Sequence, residues 1–237
     1  WTGCIEANGY SVVAPVYMHV NWPSSTDPWN LYNNMPTWAN ARRSAEGCTY
    51  VPWPMMDGSY TAYGQSQATY QAEVNSRLAV QSRVAITTGG QLDYPSANQA
   101  FLDVHIEATE NLPAADWRIV VQIWENNCSR LGSGPNGEDE YDWASWLFLD
   151  QDAVGTNNHQ GVAVWTSGAT AGQSIDLTYN FNLETAWIRD EIGATVFLQN
   201  FAQIGGGESS PYSVEQAHVE PFDNSPPMVS LVSPAPY

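Results

Sequence analysis

Residues 48–58, Cys-Thr-Tyr-Val-Pro-Trp-Pro-Met-Met-Asp-Gly, constrain the fold more than any other stretch of the chain. Pro52 has a preset φ and no amide to donate, so it suits the first residue of a strand and disfavours a helix interior. Asp57-Gly58 then supplies the positive-φ residues that a tight hairpin turn requires. The preceding segment predicts a helix: Pro36 suits a first helical position, Trp38, Ala41 and Ala45 recur at helical spacing, and Gly47 suits the stop. A short helix, a proline-fixed corner, a strand and a turn in that order make a local α/β unit.

The flanks extend this unit and then change character. Residues 11–20 form a nearly continuous apolar run, as in a strand covered on both faces, with Pro15 marking an irregularity. Residues 21–34 are rich in Pro, Ser, Asn and Trp and read as a long loop. Residues 65–80 predict a second helix with Tyr70, Val74 and Leu78 on one face. From residue 101 the period becomes two: Leu102, Val104, Ile106 and Ala108 fall on one face, Asp103, His105 and Glu107 on the other. Further strands are expected over 117–124, 143–149, 161–165, 174–181, 192–199 and 212–219, with Gly, Asn, Asp and Pro between them. Many short strands separated by turn signals predict an antiparallel β-sandwich. The expected fold class is thus α+β, with an α/β unit over 1–80 and a sandwich over 81–222. The switch falls near 81–98, and 84–88 already has the character of a sandwich strand. Residues 223–237 form a Pro-rich segment, read as a linker or as the opening strand of a further module.

Charge excludes several classes of partner. Against 25 acidic residues stand 7 basic ones, all arginine, for a formal net charge of −18. Such a field repels phosphate backbones and anionic lipid, which excludes nucleic acid as a partner, and it tolerates cations such as calcium. The apolar runs are too short to insert in a membrane. The chain opens on Trp1-Thr2-Gly3-Cys4 rather than on a basic-then-apolar leader, so the expectation is a processed chain or a fragment. Cys4, Cys48 and Cys128 make no Cys-x-x-Cys, and zinc sites of ribbon or finger spacing are excluded. In an oxidising compartment one pair would form and one thiol would remain over, or would pair with something outside this chain.

Taken together, several short motifs resemble the Omp28-related family of bacterial exported proteins, in which a thioredoxin-like domain precedes a β-sandwich. They are Trp1-Thr2-Gly3-Cys4, Tyr17-Met18-His19-Val20, Asp27-Pro28, Arg43, Val51-Pro52 and Asp57-Gly58. In the second half they continue at 121–125, 196–200 and 213–217. The resemblance implies a partial, degenerate thioredoxin-like unit followed by an immunoglobulin-like sandwich, with Pro52 as its cis-proline. It also places Cys48 near the former active-site end, so that a Cys4–Cys48 disulfide would staple the N-terminus. The chain departs from the family where a redox pair would stand, since Ala7 occupies the position of the second cysteine. The first βα unit is expected to be lost or to lie outside these 237 residues. The tail from Asn224, with Pro226-Pro227, Val229, Leu231 and Ser233-Pro234, resembles the opening strand of immunoglobulin-like modules of bacterial surface proteins.

The chemical candidates are few. Cys4 is the candidate nucleophile, yet no resolving cysteine follows it, and a structural disulfide or inert thiol is the preferred reading. Cys128, in a polar Asn-Asn-Cys-Ser context, is the expected leftover thiol, and Asn127-Cys128-Ser129 matches a glycosylation sequon. His19, His105, His159 and His218 show no metal-ligating spacing. Asp150 and Asp152 begin like a calcium loop, but Gly161 stands where its bidentate glutamate belongs, so solvated turn is preferred and no cofactor is expected. Eleven tryptophans offer either core packing or a glycan platform, with Trp22, Trp29, Trp38 and Trp53 clustered in the first half. The reading reached is a secreted or cell-surface protein, with outer-membrane association or the periplasm as further locations. Its role is structural or adhesive rather than catalytic, within an extracellular assembly of protein partners or copies of itself. The alternatives are a thiol–disulfide oxidoreductase whose second cysteine lies outside the chain, and a carbohydrate-binding module.

Overall fold

A computed structural model of the chain describes residues 7–9, 13–14, 36–50, 55–60, 64, 66–92, 99–129, 140–149, 159–203 and 214–222. Its elements run α1 (Pro36–Ala45), β1 (Met55–Met56), β2 (Ser59–Tyr60), α2 (Gln67–Leu78), β3 (Val84–Leu92), β4 (Gln99–Ala108), β5 (Trp117–Glu125), β6 (Ala144–Phe148), β7 (Val162–Ala163), β8 (Ser174–Asn182), β9 (Ile192–Asn200) and β10 (Val214–Pro221). The architecture is mostly antiparallel sheet with few helices, as the sequence predicts.

Local chemistry sets the first elements. α1 starts at Pro36 and ends where Gly47 turns to φ 70°, its amide bonded to the Ser44 carbonyl. β1 and β2 form a hairpin closed by Asp57 and Gly58 at φ 48° and 77°, the positive-φ pair a two-residue turn needs. α2 is capped by the Ser66 hydroxyl, which accepts from the Thr69 amide. Tyr70 and Val74 are buried as expected, but Leu78 is 55% exposed. It stands in the last turn, just before the Ala79 cap, where the chain leaves the packed face toward β3. The apolar run 11–20 is described at Val13 and Ala14. There the Val13 amide bonds back to the Gly9 carbonyl, so this part is a turn and not a strand.

Two sheets carry the rest. One has the order β3-β4-β8. The other runs β10-β9-β5-β6, with β7 also paired to β5. All of these pairings are antiparallel. The main core lies between the sheets, where Leu102, Val104 and Ile106 of β4 meet Ile119, Val121 and Ile123 of β5 and Val196 and Leu198 of β9. β4 and β8 alternate between buried and exposed residues, so their other face is open. β9 is buried at every position, and β5 at every position but Arg118. Both faces of the sheet are therefore covered at these two central strands, which is why they read as continuous apolar runs.

The cover on the outer face of β5 and β9 is the N-terminal part of the chain. Ala39 of α1 packs on Val120, Phe148 and Phe197, and Val13 and Ala14 pack on Trp124, Trp143 and Val219. Arg42 fixes α1 there. It donates through Nε to Glu46, through Nη1 to the His159 carbonyl (3.0 Å) and through Nη2 to Gln199 Oε1 (2.8 Å). Its guanidinium also lies 5.9 and 5.7 Å from the ring centroids of Phe148 and Phe197. On one side of the sandwich the sheet edges β3 and β10 are tied by side chains rather than by a ladder. Arg83 grips Glu215 with its backbone amide, Nε and Nη2, while Glu220 accepts from Thr88 Oγ1 (2.7 Å) and the Gly90 amide (2.9 Å). Two glutamates thereby occupy edge donors that would otherwise recruit a foreign strand.

Candidate functional site

The open side of the molecule is the outer face of β3-β4-β8. Register places its side chains in rows: Thr87, His105 and Asp176 form one, and Gly89, Asp103 and Thr178 the next. Phe101 and Asn180 follow in a third. Residues along one strand of this face repeat at about 6.6–6.8 Å, and neighbouring strands lie about 4.8 Å apart. The face is polar, and Phe101, 37% exposed, is the large apolar side chain it presents.

Its two central carboxylates are held by neighbours. Thr178 Oγ1 donates to Asp103 Oδ1 at 2.7 Å, and His105 Nδ1 lies 2.7 Å from Asp176 Oδ1. Both contacts are solvent-exposed and add little stability. Each carboxylate keeps acceptor lone pairs beside that contact. Between the rows lies a shallow depression of about 220 Å³, bordered by Thr87, Asp103, His105, Asp176 and Thr178. Gly89 makes room for it, because a Cβ built there would meet no atom within 4 Å. Such a hollow is smaller than the 300 Å³ or so of an ordinary small-molecule pocket.

Of the residues singled out from the sequence, Cys4, Pro52, Asp150 and Asp152 lie outside the described residues. So do His19 and the tail 223–237. Cys48 carries a free, half-buried thiol at the C-terminal end of α1. Burial, reinforced by the Glu46 charge and offset in part by Arg43 and Arg42, pushes that thiol up to about 12. At such a value the thiolate is scarce and the group is a poor nucleophile. Cys128 does not sit in the polar surroundings that its sequence context suggests. It is fully buried, pairs through its backbone with Tyr141, and its Sγ lies 3.5 Å from Glu125 Oε2. Glu125 is itself wholly buried and accepts from Trp146 Nε1 (2.9 Å) and the Ile188 amide (2.7 Å), a set of donors that compensates its desolvation.

The tryptophan platform is not found in the sandwich. Trp117, Trp124, Trp143, Trp146, Trp165 and Trp187 are all buried there. The side chains of Trp22, Trp29, Trp38 and Trp53 lie outside the described residues. His105 is the histidine that faces the depression. His159 is half-buried and held below its ordinary value by desolvation and by Arg42. Among the described residues no cluster of His, Cys, Asp and Glu could hold a metal ion. The residue that sequence reasoning passed over is Phe101. The signal was present, since an aromatic at that position falls in the polar phase of the β4 alternation.

No family model and no curated protein matches the chain. Among solved structures it is similar to HBP35 of Porphyromonas gingivalis, with a TM-score of 0.57 and 9% sequence identity over 89% of this chain. The chain spans 65% of the length of that structure. It also aligns with a domain of the outer membrane lipoprotein Omp28 from Porphyromonas gingivalis, at a TM-score of 0.31 and 9% identity, over 61% of this chain and 91% of that one. The first similarity is one of fold. The second is below the level at which a shared fold can be argued.

Proposed function

We infer that the protein is a surface-exposed adhesive component of a bacterial extracellular assembly, and that it makes contact through the outer face of β3-β4-β8. The observation that carries this reading is the contrast between the two sheets. One outer face is sealed by α1 and the buried Arg42, while the other is left open with its carboxylates hydrogen-bonded to neighbouring side chains. The location follows from the exported character of the family that the sequence motifs resemble. In this reading the N-terminal helices and hairpin are a partial thioredoxin-like unit that buttresses an immunoglobulin-like sandwich, with the division near residue 81. The family resemblance and the position of α1 against the sheet support that division. A thiol–disulfide role for Cys48 is disfavoured by its raised thiol, which needs a lowered value to attack.

The test is co-sedimentation of the purified protein with cell envelopes from the producing organism. The double variant Phe101→Ala/Asp103→Asn is expected to lower the bound fraction at least tenfold with an unchanged thermal midpoint. Undiminished association of that variant refutes the assignment of the contact to this face.

A further inference from the structure

The geometry points to a neutral polysaccharide as the ligand of the β3-β4-β8 face, with the Phe101 ring stacking on a sugar and Asp103 and Asp176 accepting hydrogen bonds from its hydroxyls. This rests on the adhesive reading above and supplies its chemistry.

Four observations converge on that class. A sugar ring presents a flat apolar face edged by hydroxyls, and the site offers the complement: one exposed ring beside carboxylates. Each carboxylate keeps acceptor lone pairs beside the contact it makes, Asp103 with Thr178 and Asp176 with His105, so a hydroxyl can be accepted without breaking either. The depression is small and open, and the face runs the whole length of three strands, which suits a chain and not a compact molecule. A protein partner is a poorer match, because a stable protein interface covers about 800 Å² per side around several buried aromatic or arginine anchors. Among the described residues this face has one such anchor.

Charge narrows the class further. Asp103, Glu107 and Asp176 share the face, and none of the described arginines stands on its strands. With −18 overall, anionic polysaccharides are repelled. An uncharged chain meets no such barrier.

Affinity electrophoresis of the full chain through gels containing dextran, mannan or hydroxyethylcellulose, with alginate as the anionic control, tests the inference. Retardation is expected in at least one neutral gel and none in alginate. Phe101→Ala should weaken it about tenfold, the scale of one lost aromatic contact. Phe101→Trp should preserve it. Gly89→Val gives an independent check: it fills the depression from a position with open space and suits a strand, so it should abolish retardation without loss of fold. Absence of retardation in every neutral gel overturns the inference, as does retardation that both Phe101→Ala and Gly89→Val leave intact. Periodate-oxidised envelopes separate this from the broader reading. If they still bind the protein through Phe101, the partner is a protein and the polysaccharide inference falls while the adhesive one stands. If envelope binding ignores Phe101 altogether, both fall.

Discussion

Replacing Arg42 by methionine tests the attachment of the N-terminal helix to the sandwich. The side chain is 4% exposed, and its partner Glu46 is 9% exposed. Methionine fills much of the same volume between Phe148 and Phe197, so the change removes charge and donors more than bulk. It leaves Glu46 as a buried carboxylate without its ion-pair partner, and it strips the Gln199 and His159 oxygens of a donor. Breaking a buried pair from one side costs about 3–5 kcal/mol. For a chain of this size that is a fall in thermal midpoint of about 6–20 °C. In urea it is a fall of about 1–2 M in the unfolding midpoint, taking a slope near the top of the usual range. The double variant Arg42→Met/Glu46→Leu removes both charges and should recover most of the loss, because a hydrophobic replacement of a buried pair is close to neutral. Urea unfolding of the two single variants and the double gives the coupling directly. A cost below about 1 kcal/mol for Arg42→Met shows that the pair does not hold α1 in place. So does a double variant no better than the sum of the singles.

Two further outcomes follow from the sheets. Gly193 of β9 lies beneath the indole of Trp124, and a Cβ there would fall inside the van der Waals envelope of that ring. Gly193→Ala should therefore cost about 1–3 kcal/mol and alter the near-ultraviolet circular dichroism. In a Trp124→Leu background the same change should cost clearly less, with the Glu220 carbonyl 3.0 Å from the added Cβ accounting for what remains, and a neutral Gly193→Ala in the parent chain would sink the argument. At the β3–β10 edge, burial pushes the Glu215 carboxyl up, but the hydrogen bonds and charge of Arg83 outweigh it and hold the group below its ordinary 4.5. A depressed carboxylate stabilises the fold above its unfolded value and ceases to do so as pH falls through its folded value. Glu215→Gln should thus destabilise at neutral pH and lose less on acidification below about pH 4.5 than the parent. Parallel stability curves for the two proteins from pH 7 to pH 3 would refute the link.

Much of the fold was legible because single residues fixed it. Pro36 and Gly47 bound α1, Asp57-Gly58 close the hairpin, and the alternation of residues 102–108 fixes which face of β4 is core. What could not be read was pairing between distant segments. Nothing local to Arg42 indicates that it meets Gln199, or to Arg83 that it meets Glu215, since those contacts depend on how the sheets close. Cys128 misled for the same reason. Its polar neighbours in sequence describe a turn, yet the bridge to Tyr141 draws the thiol itself into the core. The tryptophans are ambiguous in sequence because an indole serves a core and a binding surface equally well. Phe101 differs in that its phase against the alternation was already decisive evidence of exposure.

The scarcity of basic residues connects the composition to the candidate site. Arg42, Arg77, Arg83 and Arg118 each close on a specific acid of the fold, respectively Glu46, Asp57, Glu215 and Asp116. Arg118 also lies 4.9 Å from the Phe201 ring centroid. These cations hold segments together and are cancelled locally, so the surplus of acids is left to set the field beyond the surface. At the β3-β4-β8 face that field arises from Asp103, Glu107 and Asp176 and is opposed there by His105 alone among the described residues, and only when it is protonated. A cationic partner would gain from this field and lose affinity steeply as salt screens it. A neutral polysaccharide, bound by ring stacking and hydroxyl hydrogen bonds, would be nearly indifferent to ionic strength. Retardation that survives a rise from 10 to 150 mM salt, roughly a fourfold shortening of the screening length, therefore separates the two recognition chemistries without identifying the sugar.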